Sequence, residues 1–97
     1  MTYKKKIANI NVESIIERFC HVLWLEDGLS KNTTSSYARD LLDFHNWLIK
    51  RKIKRNLILV DEQIIGIYFS EIFSNTSPST ANRRLSSFRR FFTWLIR

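Results

Sequence analysis

Hydrophobic residues along the chain recur at intervals of three and four positions, the spacing that gathers side chains on one face of an α-helix. Four such stretches predict helices over about residues 12–27, 31–52, 62–73 and 78–97. No stretch alternates apolar and polar residues in the manner of a half-buried strand, and there is no internal repeat. The pattern therefore predicts an all-α domain whose four helices pack as a bundle.

Residues that start and stop helices stand at the ends of these stretches. A side chain that can accept a hydrogen bond from a free helix amide precedes each of them: Asn11, Ser30, Asp61 and Ser77. Gly28 follows the first stretch and can adopt the left-handed conformation that ends a helix. Pro78 suits the first position of the fourth helix, where no backbone N–H is needed. These signals support four separate helices.

The apolar stripes predict which side chains fill the core. In chain order they are Val12, Ile16, Phe19, Cys20, Leu23, Tyr37, Leu41, Phe44, Leu48, Ile64, Ile65, Tyr68, Ile72, Ala81, Leu85, Phe88, Phe92 and Leu95. Trp24, Trp47 and Trp94 lie beside the centres of the stripes, so we expect them to pack between helices rather than to stack on bases. With 97 residues, 44% of them hydrophobic, the chain has the length of one domain and enough apolar side chains for its core.

The chain carries a surplus of positive charge, most of it near the end. Sixteen Lys and Arg residues against nine Asp and Glu residues give a formal net charge of +7. Residues 1–27 are neutral overall, residues 28–76 carry +2, and residues 77–97 carry five arginines and no acid. Within the first segment we expect residues 1–11 to form a flexible basic tail. The surplus points to a polyanionic partner, with nucleic acid the leading candidate.

The sequence argues against several other classes of protein. Cys20 is the only cysteine, which excludes a disulfide scaffold and a cysteine-rich zinc site and fits the cytoplasm. No apolar run approaches the roughly 20 residues that cross a bilayer, and we expect no membrane partner. His21 and His45 lack metal-ligand spacing, and there is no Gly-rich phosphate loop or Ser/His/Asp set. We therefore expect no catalytic residue, metal, cofactor or small-molecule ligand in this chain.

Arginines of the fourth predicted helix gather on the face opposite its core stripe. Arg83, Arg90 and Arg97 fall within about 40° of one another at 100° per residue. Arg84 and Arg89 flank the core stripe, and no carboxylate of this helix can pair with any of them. The hydroxyl side chains between or beside the arginines are Ser79, Ser86, Ser87 and Thr93. Such groups donate to phosphate oxygens and base edges, so we interpret this face as a DNA contact, with an acidic protein partner as the alternative.

The start of the second predicted helix offers a further surface for an anion, because free backbone amides and the helix dipole favour negative charge there. The candidate contacts in its first turns are Lys31, Asn32, Thr33, Ser35, Ser36 and Arg39. Phosphate contact and simple helix capping are both open for these side chains. Asp40 and Asp43 make the rest of the helix unsuited to DNA, so we expect contact at its N-terminal end.

Two segments of the chain resemble Xer-type tyrosine recombinases. The first is WLEDGLSKNT at residues 24–33, followed by Tyr37 and by RDL at 39–41. The second is RRLSSFRRFF at residues 83–92, followed by Trp94. They stand in the family's order and at about its spacing. From residue 12 onward the chain is similar to the family's N-terminal core-binding domain, a SAM-like bundle of four to five helices, and the XerD-like branch fits better than the XerC-like one.

The resemblance implies a function in DNA recombination, in which this domain forms half of a clamp around a double-stranded half-site. The positions that would meet backbone phosphates are Lys31, Asn32, Thr33 and Arg39. Those that would face the major groove or its bordering phosphates are Arg83, Ser86, Ser87 and Arg90. The family commonly has two basic residues after Tyr37, whereas this chain has Ala38 and then Arg39. That departure calls one of the phosphate contacts into question.

The resemblance also implies that the chemistry belongs to another domain. The family's catalytic residues, including its tyrosine nucleophile, lie C-terminal to the core-binding domain, so we expect this chain to be part of a longer enzyme. That enzyme would cut and rejoin DNA through a 3′-phosphotyrosine without a cofactor, acting with other recombinase subunits in chromosome dimer resolution or DNA integration. Tyr37 and Tyr68 lie on core stripes and Tyr3 lies in the tail, so none of them is expected to be the nucleophile.

A helical protein-interaction module is the alternative function, because SAM-like bundles also serve that purpose and an arginine face suits an acidic protein. The two functions differ in the expected binding. DNA affinity that falls steeply with salt indicates the DNA clamp. Self-association or a protein partner with little DNA affinity indicates the interaction module.

Overall fold

The computed structural model describes residues 11–55 and 57–96. These residues form four helices and no strand: α1 at Val12–Glu26, α2 at Lys31–Lys50, α3 at Glu62–Asn75 and α4 at Pro78–Leu95. The predicted all-α bundle is confirmed, with helix ends within two residues of those expected. None of the described helices is long and apolar enough to cross a membrane.

Each helix begins at the residue that the sequence predicts. The cap side chains of Asn11, Ser30, Asp61 and Ser77 accept hydrogen bonds from the backbone N–H groups of Ser14, Thr33, Ile64 and Thr80, at 3.2, 3.2, 2.9 and 3.3 Å. Gly28 has a φ of +66° and ends α1 in the left-handed conformation. The following N–H of Leu29 donates to the carbonyl oxygen of Leu23 at 3.3 Å, which closes the last turn.

The core joins the helices through aromatic rings. The helices pack as α1 on α2, α2 on α4, and α3 on α4. Phe44 of α2 lies at the centre, with its ring centroid 4.8 Å from that of Tyr68 in α3 and 5.0 Å from that of Phe88 in α4. Phe19 of α1 meets Phe91 of α4 edge to face at 5.2 Å. Aromatic contacts of this geometry add to the stabilisation that burial of the rings provides.

The buried face of α4 is wider than predicted and is rotated toward α1 and α2. Phe91, which the sequence pattern did not place in the core, is completely buried, whereas Phe92 is only partly buried. Phe69 of α3 is a second unpredicted core residue, and its ring lies 4.8 Å from that of Phe88. The physical reason is that α4 has neighbours on two sides. Phe91 faces α1 while Phe92 borders the groove toward α3.

The three tryptophans differ in their surroundings. Trp94 lies 5.6 Å from Phe19, ring to ring, and Trp47 lies 5.1 Å from Tyr68, so both pack between helices as expected. Trp24 is 54% exposed and makes no interhelical ring contact in the described structure. The expectation of interhelical packing is therefore wrong for Trp24.

Candidate nucleic-acid interface

A buried carboxylate organises the arginine face of α4. Asp40 of α2 is 0% exposed, and Arg83 donates to it twice, from Nη2 to Oδ1 at 2.7 Å and from Nε to Oδ2 at 3.0 Å. The hydrogen bonds to Asp40 raise the pKa of Arg83 against the opposing effect of desolvation. Asp40, which together with Asp43 was expected to make this part of α2 unsuited to DNA, presents no charge at the surface, because it lies in the core with its charge paired.

Arg84 is a buried link between helices rather than a surface group. Its side chain is 15% exposed, with Nη1 donating to the hydroxyl of Tyr68 at 3.0 Å and Nη2 donating to Asp43 at 3.1 Å. Its Nε lies 3.9 Å from Asp40 Oδ1. Burial raises the pKa of the Tyr68 phenol, and the nearby guanidinium of Arg84 opposes that rise. Arg84 therefore ties α2, α3 and α4 together, and we remove it from the candidate contacts.

Ser87 is also removed from the candidate contacts. The residue is 0% exposed, and its hydroxyl donates to the backbone carbonyl oxygen of Arg84 at 2.7 Å. The reason is the rotation of the buried face of α4, which brings Ser87 inward together with Phe91 one turn later. A side chain in this position cannot reach a duplex that lies on the surface.

The remaining α4 candidates form an exposed stripe. Ser79, Arg83, Ser86 and Arg90 follow one another at intervals of four, three and four residues, and all are exposed. Asn82 lies beside this stripe and is exposed as well, a position that helical spacing from Ser79 and Ser86 could have identified. Arg97 lies outside the described residues.

The start of α2 presents a second set of exposed polar groups. Lys31, Asn32, Ser35 and Arg39 are exposed, and Ser36 is half-buried. The structure shows no acidic side chain within ion-pair distance of Lys31 or Arg39 among the residues it describes. These two basic groups are therefore free to meet an anion.

Thr33 is engaged in the helix cap. Its backbone N–H donates to the Ser30 hydroxyl, and that hydroxyl donates to Thr33 Oγ1 at 3.0 Å. Since the Thr33 hydroxyl already accepts this bond and the residue is half-buried, the capping alternative describes it better than the phosphate contact.

Two ion pairs bring the α2 and α4 sets side by side. Arg83 reaches Asp40 in the middle of α2, and Arg90 Nη1 donates to Asp27 Oδ2 at 3.2 Å, next to the turn that leads into α2. The two faces predicted separately from the sequence are thus one surface, which we call the basic surface. Its members are Lys31, Asn32, Ser35, Ser36, Arg39, Ser79, Arg83, Ser86 and Arg90.

The carboxylates position the arginines and also reduce the charge of the basic surface. Asp40 and Asp27 partly neutralise Arg83 and Arg90, so the arginine face is less positive than α4 alone suggests. Arg83 is nevertheless 42% exposed. Its contacts to Asp40 use two of the five guanidinium N–H groups, which leaves three donors in a fixed orientation for a phosphate or a base edge.

The described residues contain no group of His, Cys, Asp and Glu side chains that could hold a metal ion. Tyr37 and Tyr68 are buried, at 9% and 2% exposure, so both belong to the core as the sequence pattern predicts. Cys20 is half-buried and donates from Sγ to the carbonyl oxygen of Thr34 at 3.3 Å, and burial raises the pKa of its thiol. These groups hold the bundle together, and the chemistry available at the surface is the donation of hydrogen bonds and positive charge.

The comparison with protein-family models shows the family to which this helical bundle belongs. Residues 16–97 match the model described as "Phage integrase, N-terminal SAM-like domain". The chain belongs to this family.

The relatives are tyrosine recombinases. The chain is 43% identical over 82 residues to tyrosine recombinase XerD of Ralstonia nicotianae, an alignment that covers 84% of this chain and 26% of the relative. It is 36% identical over 83 residues to XerD of Proteus mirabilis, covering 86% of this chain and 26% of the relative. It is 30% identical over 87 residues to tyrosine recombinase XerC of Myxococcus xanthus, covering 90% of this chain and 29% of the relative.

The alignments cover little more than a quarter of the length of these relatives. No solved structure gives a significant match to the chain. The resemblance to Xer-type recombinases and to their N-terminal domain is thereby confirmed, and family membership supports a role in recombination.

Proposed function

We propose that this chain is the DNA-clamping domain of a tyrosine recombinase and that it binds double-stranded DNA through the basic surface. The observation that carries the proposal is the pairing of Arg83 with the buried Asp40, which fixes a partly exposed guanidinium beside the middle of α2, next to Arg39. The two hydrogen bonds to Asp40 leave three N–H groups of Arg83 available to a ligand at the surface. Fixed donors that share one surface with the free amides at the start of α2 suit the phosphates and base edges of a groove.

The residues of the basic surface divide into two roles. Lys31 and Arg39 are uncompensated charges, and they serve the phosphate backbone together with the free amides at the start of α2. Arg83, Ser86 and Arg90 line α4 and face the major groove or the phosphates that border it. This division places the sequence-independent contacts on α2 and the contacts that can read bases on α4.

The catalytic chemistry of the proposed enzyme lies outside this chain. The basic surface holds hydrogen-bond donors and cations, which can position DNA, and the described tyrosines, Tyr37 and Tyr68, belong to the core. We assign the cutting and rejoining of DNA to a parent protein, as the resemblance implies, with other recombinase subunits as partners. The reaction that we propose for the parent is chromosome dimer resolution or DNA integration.

The salt dependence of binding tests this function. With four to six phosphate contacts, the plot of log K against log salt concentration should have a slope of about −4 to −5. We expect a Kd of about 10⁻⁴–10⁻⁶ M at physiological salt, as is typical of non-specific contacts. Fluorescence anisotropy of a labelled 16-bp duplex between 50 and 200 mM NaCl measures both quantities.

Variants connect the slope to the basic surface. Arg39→Ala and Lys31→Ala should each make the slope shallower by about 0.9, since each removes one phosphate contact. Arg18→Ala is the matched control, because Arg18 is exposed on α1 outside the basic surface and its loss removes the same charge. A flat salt response of the unmodified chain would contradict the proposal and favour an acidic protein partner. Equal losses in all three variants would indicate attraction by net charge alone.

A further inference from the structure

The connection after α2 carries a concentration of positive charge that the basic surface does not include. Residues 50–55 contain five basic side chains and no acid. Arg51 pairs with Glu71, and Arg55 lies 3.7 Å from Asp61. The other three, Lys50, Lys52 and Lys54, are exposed and have no acidic partner among the described residues. We call these three lysines the lysine cluster.

The backbone at Lys52 is in a conformation that ordinarily belongs to glycine. Lys52 has a φ of 56°, and it is the only described non-glycine residue with a positive φ. Its N–H donates to Ile49 and the next N–H, of Ile53, donates to Leu48, both at 3.0 Å, which closes α2. At the corresponding position α1 has Gly28, which adopts this conformation without strain. The chain thus has a lysine where glycine would be more stable, and residues held in unfavourable conformations are concentrated at functional sites.

The segment that carries the lysine cluster is anchored at its start. Glu71 of α3 accepts a hydrogen bond from Trp47 Nε1 at 2.8 Å and pairs with Arg51, whose guanidinium lies 5.2 Å from the centroid of the Trp47 ring. These contacts hold the end of α2 against α3. Lys50 and Lys52, on either side of Arg51, therefore project from a fixed backbone. Less backbone conformational entropy is lost when these lysines bind an anion.

Lys50 projects from the same side of α2 as the basic surface. It follows Asn32 by eighteen residues, which is five full turns of the helix. It follows Arg39 by eleven residues, which is three turns and about 20°. Asp43 lies between them on this side, but its carboxylate pairs with Arg84. At 1.5 Å per residue, Lys50 lies about 27 Å along the helix from Asn32, close to the 34 Å of one turn of B-DNA.

We propose that the lysine cluster is a second contact to the phosphate backbone, about one helical turn along the duplex from the start of α2. This inference rests on the proposed function, because it requires DNA on the basic surface. It extends the footprint to both ends of α2. Lysine acts as a mobile point charge toward phosphate, so the second contact adds affinity and salt dependence without adding base specificity.

The test compares the unmodified chain with the triple variant Lys50→Gln, Lys52→Gly, Lys54→Gln on a labelled 16-bp duplex. Loss of three phosphate contacts should make the salt slope shallower by about 2.7, so that the loss of affinity between 50 and 200 mM salt becomes about 40-fold smaller. Thermal unfolding checks the fold, and the change at Lys52 should leave Tm unchanged or higher because glycine relieves the strained backbone. Lys50→Gln with Lys54→Gln is the second variant and should lose about 1.8 from the slope.

Two controls and one shorter probe make the result specific. Replacing the three lysines with arginine keeps the charge and should keep the salt slope. Arg18→Gln should change the salt slope less than the loss of any one lysine of the cluster does. A hairpin with a 6-bp stem spans only about 20 Å, so on this probe the triple variant and the unmodified chain should have the same slope.

Each contrary outcome has a separate meaning. If the triple variant keeps the full slope while Arg39→Ala loses its share, this inference is overturned and the proposed function stands. An equal loss on the 6-bp stem would overturn the placement of the cluster one turn away. If the unmodified chain shows no salt-dependent binding, both the inference and the proposed function are overturned.

Discussion

Replacing Asp40 with alanine is expected to lower the free energy of unfolding by about 2–3 kcal/mol, because it removes a buried carboxylate that accepts two charge-assisted hydrogen bonds, while the partly exposed guanidinium of Arg83 can still be solvated. Asp40 is completely buried and is the acceptor for both Nε and Nη2 of Arg83. Arg84 Nε also lies 3.9 Å from it. A chain of 97 residues has a total stability of about 5–15 kcal/mol, so this loss should shift the urea midpoint clearly to lower concentration.

Urea unfolding followed by circular dichroism measures this effect. Asp43→Ala is the matched control, since Asp43 also pairs with an arginine of α4 but its side chain is 44% exposed, and we expect a loss of about 1 kcal/mol or less. The double variant Asp40→Leu with Arg83→Leu should recover part of the lost stability, because both charges are gone. Equal losses for Asp40→Ala and Asp43→Ala would show that burial does not set the strength of these pairs.

Phe91→Ala is the second variant with a large expected effect, a loss of about 3–5 kcal/mol from the removal of a fully buried ring. Phe91 is 0% exposed and contacts Phe19, Phe92 and Trp94 at ring-centroid distances of 5.2, 5.3 and 6.1 Å. The surrounding side chains relax only partially around such a cavity, so the cavity term adds to the transfer term.

Phe92→Ala is the natural control, because it removes the same ring one residue later. Phe92 is only partly buried and borders the groove toward α3, so its loss should cost clearly less than the loss of Phe91. Thermal or urea unfolding of both variants makes the comparison. A larger loss for Phe92→Ala would mean that the centre of the α4 core lies where the sequence pattern places it and not where the structure does.

The helices and their starts could be predicted from the sequence because the signals are local. Asn11, Ser30, Asp61 and Ser77 act on amides three residues away, so no knowledge of tertiary structure is needed. The rotation of α4 could not be predicted in the same way. Its buried face depends on which helices pack against it and at which angles, and α4 has neighbours on two sides.

The basic surface was predicted in part. The exposed members of α2 and α4 follow from helical periodicity, whereas their union into one surface depends on the pairs Arg83–Asp40 and Arg90–Asp27, which join residues far apart in the chain. A signal for the burial of Asp40 was present. Asp40 follows Tyr37 by three residues and precedes Phe44 by four, which is the spacing of the core stripe itself. Acidic residues are so seldom buried that the pattern favoured an exposed position.

Ser87 illustrates the same limit for a small polar residue. A serine between arginines suits a DNA-contacting face, yet its hydroxyl can also donate to the carbonyl three residues earlier in its own helix, as it does to Arg84. Because both uses fit a helix, only the packing of α4 distinguishes them. The lysine cluster is a related case. A charged segment after a helix indicates only a solvated connection, and the unusual backbone conformation of Lys52 is visible only in the structure.

The measurement that tests the central claim most directly is an NMR titration of the ¹⁵N-labelled chain with a 16-bp duplex at low and moderate salt. We expect amide shifts at residues 31–39 and 79–93 for the basic surface and at residues 50–54 for the lysine cluster, and we expect all of them to shrink as salt rises. The Nε–H signal of Arg83 should move, while the amides of Glu17 and Arg18 on α1 should not. Shifts that are absent at low salt, or that lie mainly on α1 and α3, would contradict DNA binding by the basic surface.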